Sequence, residues 1–255
     1  MVTSNNQHKG INAPCLVLHV KKGYEARGEH IERMLGRLGI DFEFFLDGDI
    51  DDMNDDIRRE VFTGEMSTAS PGVQSCSYKH LLSCHYILEQ GWEGALILED
   101  DISLRKDFCD IFNRSLAEYQ SGCDKSRPTI LSYDGTPLRF VPYSQRRKGQ
   151  LLYPGLHDRC AGAFYINAAA CRAFIDTAAR DKIHIPVDNY HTYMMQLGVL
   201  DYLWCEPAPA VQGSFNGNFP SSLTVRKKWL GKGRAQRAFV WWLKTCYRRF
   251  LYRLR

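Results

Sequence analysis

Ala95-Leu96-Ile97-Leu98-Glu99-Asp100-Asp101 is the stretch on which the fold turns. Four consecutive apolar residues suit a buried strand and are too few for a helix, and three acids follow without a spacer. A strand apolar on both faces belongs to a sheet covered by helices on both sides. The acids then stand at its carboxyl edge, where open α/β sheets bind ligands. On either side, short apolar runs alternate with helical patterns. Residues 16–20, 42–46, 129–132, 163–166 and 202–205 read as further strands. Residues 25–38, 74–90, 107–119, 168–179 and 186–197 read as helices, the first two stopped by Gly39 and Gly91. The acidic residues 50–60 suit a further helix, and the Lys/Arg-rich residues 143–150 an exposed loop. There is no internal repeat. The expected fold is α/β, a Rossmann-type sheet flanked by helices.

Composition narrows the class. The chain has 255 residues, 44% of them apolar, 24% charged and 12% aromatic, which excludes disordered, collagen-like and fibrous chains. No apolar run approaches the roughly 20 residues that span a bilayer. The only early apolar stretch is residues 15–20, too short and too late for a secretory leader, so a cytoplasmic location is expected. Nine cysteines, an odd number with no CxxC pair, argue against a disulfide framework or a zinc knuckle and for a reducing compartment.

Charge is unevenly placed. Residues 225–255 carry eleven Lys or Arg and no acid, leaving 22 basic against 29 acidic side chains before them, a net of −7. The same tail holds seven aromatics. Its apolar residues at 239, 242, 243, 246, 250 and 254 follow the three-to-four spacing of one helical face. A basic amphipathic helix lying on an anionic membrane is the first expectation. A terminal helix docked on the domain and a nucleic-acid arm are the alternatives, the last disfavoured because an acidic body repels phosphates.

The acids carry the chemistry. In extended chain, Glu99 and Asp101 project to one side and Asp100 to the other. Two carboxylates that close need a proton or a cation between them. Hard ions such as Mg²⁺ or Mn²⁺ take carboxylate oxygens and keep positions for phosphate oxygens, which suits a nucleotide diphosphate. An ordinary acidic turn capping the next segment is the competing reading.

The chain resembles glycosyltransferase family 25, which includes bacterial lipooligosaccharide sugar transferases and relatives acting on collagen. Ile97-Leu98-Glu99-Asp100-Asp101 resembles its acidic metal motif. Pro71-Gly72 through Cys76 and His80 is similar to a segment of the form Pro-Gly-Glu-Ile-Gly-Cys-x-x-Ser-His. Ala161-Gly162-Ala163-Phe164-Tyr165-Ile166 is similar to its glycine-aromatic strand, and Pro186-Val187-Asp188 to its Pro-x-Asp. Pro207 through Gln212, with Ser221-Ser222, resembles its closing segment, so the likeness runs from about residue 14 to 222. Val73, Ser75 and Lys79 depart from the Glu, Gly and Ser of the second segment. Leu18-His19-Val20 departs from the family's Asn or Ser before Leu.

The resemblance implies a GT-A-like catalytic unit over residues 12–222, followed by the tail at 223–255. It also implies an inverting transfer of galactose or glucose from a UDP-sugar to a lipid-anchored oligosaccharide. Glu99 and Asp101 then hold Mn²⁺ or Mg²⁺, and Asp100 lies nearer the ribose or starts a helix. Asp188 is the candidate base, against a simple helix cap. Gln212 is a neutral oxygen donor beside the diphosphate, against a polar residue satisfying a loop. Arg27 meets the nucleotide, against a solvated helix arginine. His80 packs against the donor pocket, and its i+4 spacing to Cys84 is compatible with a metal. Asp47, with Asp49, touches the nucleoside, against a plain turn pair. Without a leader or a retention tetrapeptide, the expected setting is the cytoplasmic face of a bacterial inner membrane. A metal-dependent phosphohydrolase and a non-catalytic membrane scaffold remain as rivals.

Overall fold

A computed structural model of the chain describes residues 10–216 and 234–254. The strands in chain order are β1 (Cys15–Leu18), β2 (Glu43–Phe45), β3 (Gly94–Glu99), β4 (Ile102–Leu104), β5 (Thr129–Ser132), β6 (Leu152–Pro154), β7 (Ala163–Asn167), β8 (Asp201–Cys205) and β9 (Ala210–Gln212). The helices are α1 (Glu25–Leu38), α2 (Asp55–Val61), α3 (Pro71–Glu89), α4 (Phe108–Gly122), α5 (Ala168–Asp181), α6 (Val187–Gln196), α7 (Gly213–Asn216) and α8 (Arg234–Arg253).

Seven strands make one mixed sheet in the order β2-β1-β3-β7-β5-β8-β6. β2, β1 and β3 are parallel, β7 lies antiparallel between β3 and β5, β8 is parallel to β5, and β6 closes the edge antiparallel. β4 and β9 form a separate antiparallel ribbon with Ile102 opposite Gln212, so the segment after the acids is tied to the end of the sheet domain.

Side-chain alternation divides the interior in two. In β3, Ala95 and Ile97 face a core completed by Leu81, Ile87, Phe174, Tyr190 and Met194 from α3, α5 and α6. Leu96 and Leu98 face the opposite core, with Ile31 and Leu35 of α1 and Phe108 and Phe112 of α4. Both faces are covered, which is why the central strands read as unbroken apolar runs. Each such side chain removed from water contributes about 2 kcal/mol. α1 ends as expected at Gly39, whose φ of 67° is left-handed and whose N–H reaches back to the Leu35 and Gly36 carbonyls.

The expected α/β sheet flanked by helices is the one formed, with element ends moved by a few residues. The acidic residues 50–60 become a 3₁₀ turn (Ile50–Asp52) followed by α2, and the basic loop holds one 3₁₀ turn (Tyr143–Gln145). The three-residue strands β4, β6 and β9 were not expected, because three residues are too few for alternation to register. Ser221-Ser222, the proposed boundary at 222/223 and the first part of the basic tail lie outside the described residues.

The tail does contain a helix, α8, and among the described residues no helix is long and apolar enough to cross a membrane. The Tyr252 ring meets Phe140 edge-on at 5.5 Å, and Arg249 and Arg253 lie over Phe140 and Tyr143. The apolar stripe points away from this contact: Phe239, Trp242, Leu243, Phe250 and Leu254 are all exposed. Docking on the body and an outward apolar face were alternatives in the sequence, and α8 combines them.

Candidate active site

The sheet order reverses between β1 and β3, with the chain running outward to β2 on one side and toward β7 and β5 on the other. A crevice forms at the carboxyl edge of such a junction. Glu99 ends β3, and Asp100 and Asp101 occupy the turn before β4. Asp134 follows β5, Asp188 sits in the first turn of α6, and Gln212 ends β9. Two surface depressions lie at the opposite edge, one lined by Pro14, Phe42 and Trp92, the other by Tyr119, Tyr165 and Arg172. The first also has Asp41 and Glu43 and the second Glu93, but the acids that close β3, follow β5 and open α6 all stand at the carboxyl edge.

Tethers aim the three consecutive acids in different directions. Asp100, 5% exposed, accepts a 2.8 Å bond from Arg27 Nη1 and lies 2.8 Å from His19 Nδ1. Arg27 and Asp100, expected as separate nucleotide contacts, are therefore partners of one another on α1's side of the turn. Asp101 accepts the Gly213 N–H on its backbone carbonyl and the Ser214 N–H on Oδ2, while its Oδ1 is buried without a hydrogen-bond partner. Glu99 Oε2 accepts from Gln212 Nε2 at 2.7 Å. Gln212 thus presents its amide nitrogen to the acid.

Asp188 does not cap its own helix. Pro186 holds the N-cap position, and Asp188 Oδ1 instead accepts the Ala161 N–H at 3.0 Å. Ser77 of α3 accepts the Val187 N–H, fixing the start of α6 beside it. The loop carrying Ala161 is held by the buried Arg159, which donates to the Cys205 carbonyl and to Glu206 and stacks over Trp204 at 4.3 Å. Gly162 is required here: a Cβ would stand 2.7 Å from Asp134 Oδ2 and from Gln212 Cγ and Nε2.

Electrostatics set this cluster apart. Burial, then the charge of Glu99, pushes Asp101 up to about 6. Burial, followed by the Glu99 and Asp158 charges, pushes Asp188 up to about 7. Glu99 is raised chiefly by burial, and so is Asp134, well above the usual carboxylate range. Asp134 Oδ2, like Asp101 Oδ1, is buried with no partner. Buried acids that raise one another need protons or a cation. Carboxylate oxygens are the donors that Mg²⁺ and Mn²⁺ accept beside phosphate, but among the described residues the one set of three His, Cys, Asp or Glu side chains with ligand atoms within 4.8 Å of one another is Cys76, His80 and Glu99.

Asp134 escaped the sequence reading, although it follows an apolar strand as Glu99 does. The residues that departed from the family's pattern also have visible work. Lys79, 4% exposed, pairs with Asp49 at 2.7 Å and donates to the Leu46 and Asp47 carbonyls; Ser75 Oγ donates to the Gly48 carbonyl. Together they fasten the loop after β2. In that loop Asp47 is exposed, while Asp49 is buried and engaged. His80 does not pair with Cys84, as the i+4 spacing had allowed: Cys84 is buried against Cys171 in the core. The His80 ring stacks on Phe164, with Cys76 one turn earlier and Glu99 both close by.

The model of glycosyltransferase family 25, described as an LPS biosynthesis protein family, matches residues 16–191. No curated protein matches the chain. Among solved structures, a glycosyltransferase involved in the glycosylation of the major capsid of PBCV-1 is similar at 9% identity and a TM-score of 0.40, over 90% of this chain and 99% of that one.

Proposed function

The chain belongs to glycosyltransferase family 25 and is a glycosyltransferase, and from that premise we propose that it moves galactose or glucose from a UDP-sugar to a lipid-linked oligosaccharide with inversion. The observation that carries the proposal is the group of carboxylates at the sheet's carboxyl edge, of which Asp101 and Asp134 are buried with an unpartnered oxygen. Glu99, Asp101 and Asp134 are the residues that would hold Mn²⁺ or Mg²⁺. That ion, when bound, stabilises the negative charge growing on the departing diphosphate.

Asp188 accepts the proton of the acceptor hydroxyl. The freed oxygen attacks the anomeric carbon from the side opposite the diphosphate, whose C–O bond breaks with both electrons leaving on UDP. A carboxylate near 7 is matched to that work, since a base is most effective with its pKa close to the operating pH. The Ala161 N–H occupies one of its oxygens and leaves the other for the acceptor. Gln212 restrains Glu99. The Arg27–Asp100 pair supports the nucleotide side of the cleft, and the exposed Asp47 meets the nucleoside. His80, packed on Phe164, shapes the donor pocket.

The outward face of α8 is assigned to an anionic lipid surface, placing the enzyme on the cytoplasmic face of the membrane that carries its acceptor. Exposed Trp242, Phe239 and Phe250 lie on a tail with eleven cations and no acid, while the body is acidic. Residence on that surface raises the effective acceptor concentration without a new contact in the crevice.

Turnover of UDP-hexoses with Mn²⁺ and truncated lipid oligosaccharide acceptors tests the proposal. Sugar transfer that requires the acceptor is expected. UDP-sugar hydrolysis indifferent to the acceptor would replace it with a phosphohydrolase.

A further inference from the structure

The segment from α3 to β3 assembles a donor set of a different kind. One ligand atom each from Cys76, His80 and Glu99 lies within 4.8 Å of the others. Cys76 Sγ is 3.5 Å and His80 Nε2 3.6 Å from the same carboxylate oxygen, Glu99 Oε1. Four-coordinate zinc with ordinary bond lengths to sulfur, nitrogen and oxygen sets its ligand atoms about 3.4 to 3.6 Å apart. The two separations to Glu99 Oε1, the first of them a hydrogen bond donated by the Cys76 thiol, match that spacing, and the sulfur and the imidazole nitrogen lie within 4.8 Å of each other.

An independent feature points to the same place. His80 is 1% exposed, and beyond the 3.6 Å approach of Nε2 to Glu99 Oε1 neither ring nitrogen has a hydrogen-bond partner. A buried imidazole left in that state forfeits a polar contact, a loss that structures normally avoid. The ring is also held in place, stacked on Phe164 with centroids 5.6 Å apart and planes 24° from parallel. Cys76 and His80 lie one turn apart on α3 and so present thiol and imidazole on one face.

We propose that Cys76, His80 and Glu99 form a binding site for a zinc-like divalent cation, with water as the fourth ligand, which clamps the first half of α3 to the end of β3. The site does not rest on the transferase reading. It shares Glu99 with the carboxylate cluster, taking its Oε1 where Gln212 holds Oε2, and differs from that cluster by its sulfur and imidazole donors, which select zinc, cobalt or cadmium over Mg²⁺ and Mn²⁺. Binding releases the Cys76 proton, so uptake strengthens as pH rises.

The test is a Co²⁺ titration of the full chain, reduced and stripped of metal. One equivalent is expected to give a sulfur-to-cobalt charge-transfer band together with the visible bands of four-coordinate cobalt, and Zn²⁺ is expected to displace both and to raise the unfolding temperature. Cys76→Ser should abolish the charge-transfer band, whereas Cys123→Ser, an exposed thiol elsewhere, should keep it. His80→Gln should weaken cobalt binding at least about tenfold; if that variant does not fold, Cys76→Ser decides alone. A cobalt spectrum without a sulfur band, or a sulfur band that survives Cys76→Ser, overturns the proposal.

Discussion

Asp188→Asn should make the metal-free protein more stable while disabling it. Burial and the Glu99 and Asp158 charges raise this aspartate from 3.8 to about 7, so the folded state binds its proton more tightly than the unfolded state. Between those two values the folded protein holds the extra proton, and stability falls as pH rises through the window. At about pH 8 the ionised group costs ~4 kcal/mol, and at about pH 5 less than half of that. The asparagine oxygen can keep the Ala161 N–H bond, and the amide carries no charge. Its benefit relative to the native residue should therefore be about 3 kcal/mol larger at pH 8 than at pH 5, read by urea unfolding of both proteins at both pH values. Turnover should fall about 10²- to 10⁴-fold, the usual contribution of a positioned base. A variant whose stability difference from the native protein is the same at both pH values would refute the reasoning, because the charge would then not be buried among other acids.

Gly162→Ala should fold yet lose about 100-fold in turnover, since its Cβ would displace Asp134 and Gln212; unchanged kinetics would mean that neither side chain needs its position. Arg159→Ala leaves Glu206 buried with only Arg146 as an ion-pair partner and should cost about 3 kcal/mol in urea unfolding, a loss under about 1 kcal/mol contradicting it. The double variant Trp242→Glu and Phe250→Glu should release the protein from vesicles containing anionic lipid and spare turnover of soluble acceptors; retained vesicle binding would remove the lipid surface as partner of α8.

Much of the frame was legible because burial on both faces leaves a plain mark. β3 reads as an apolar run closed by acids, and Gly39 stops α1 where a left-handed residue is needed. Asp134 obeys the same rule as Glu99, but a single acid after a strand does not stand out as three do. Which way a helix turns is harder to see when several of its sides are covered. α3 is buried at Gln74, Lys79, Leu81, Ser83 and Cys84 alike, so its pattern gave no reason to place Cys76 rather than Cys84 beside Glu99. Lys79 looked like a departure from its family and proves to be the buried partner of Asp49, a long-range pairing that no local pattern encodes. The stripe on α8 was readable from its spacing. That it points away from the body depends on Phe140 and Tyr143, about a hundred residues earlier in the chain.

A crystal of the full chain grown with Mn²⁺ and UDP, with anomalous data collected at the manganese edge, tests the central claim most directly. The account predicts one peak between the carboxylates that close β3 and follow β5, touching Asp101 and a phosphate oxygen of UDP. A peak elsewhere, or UDP bound with those carboxylates still unoccupied, would contradict it.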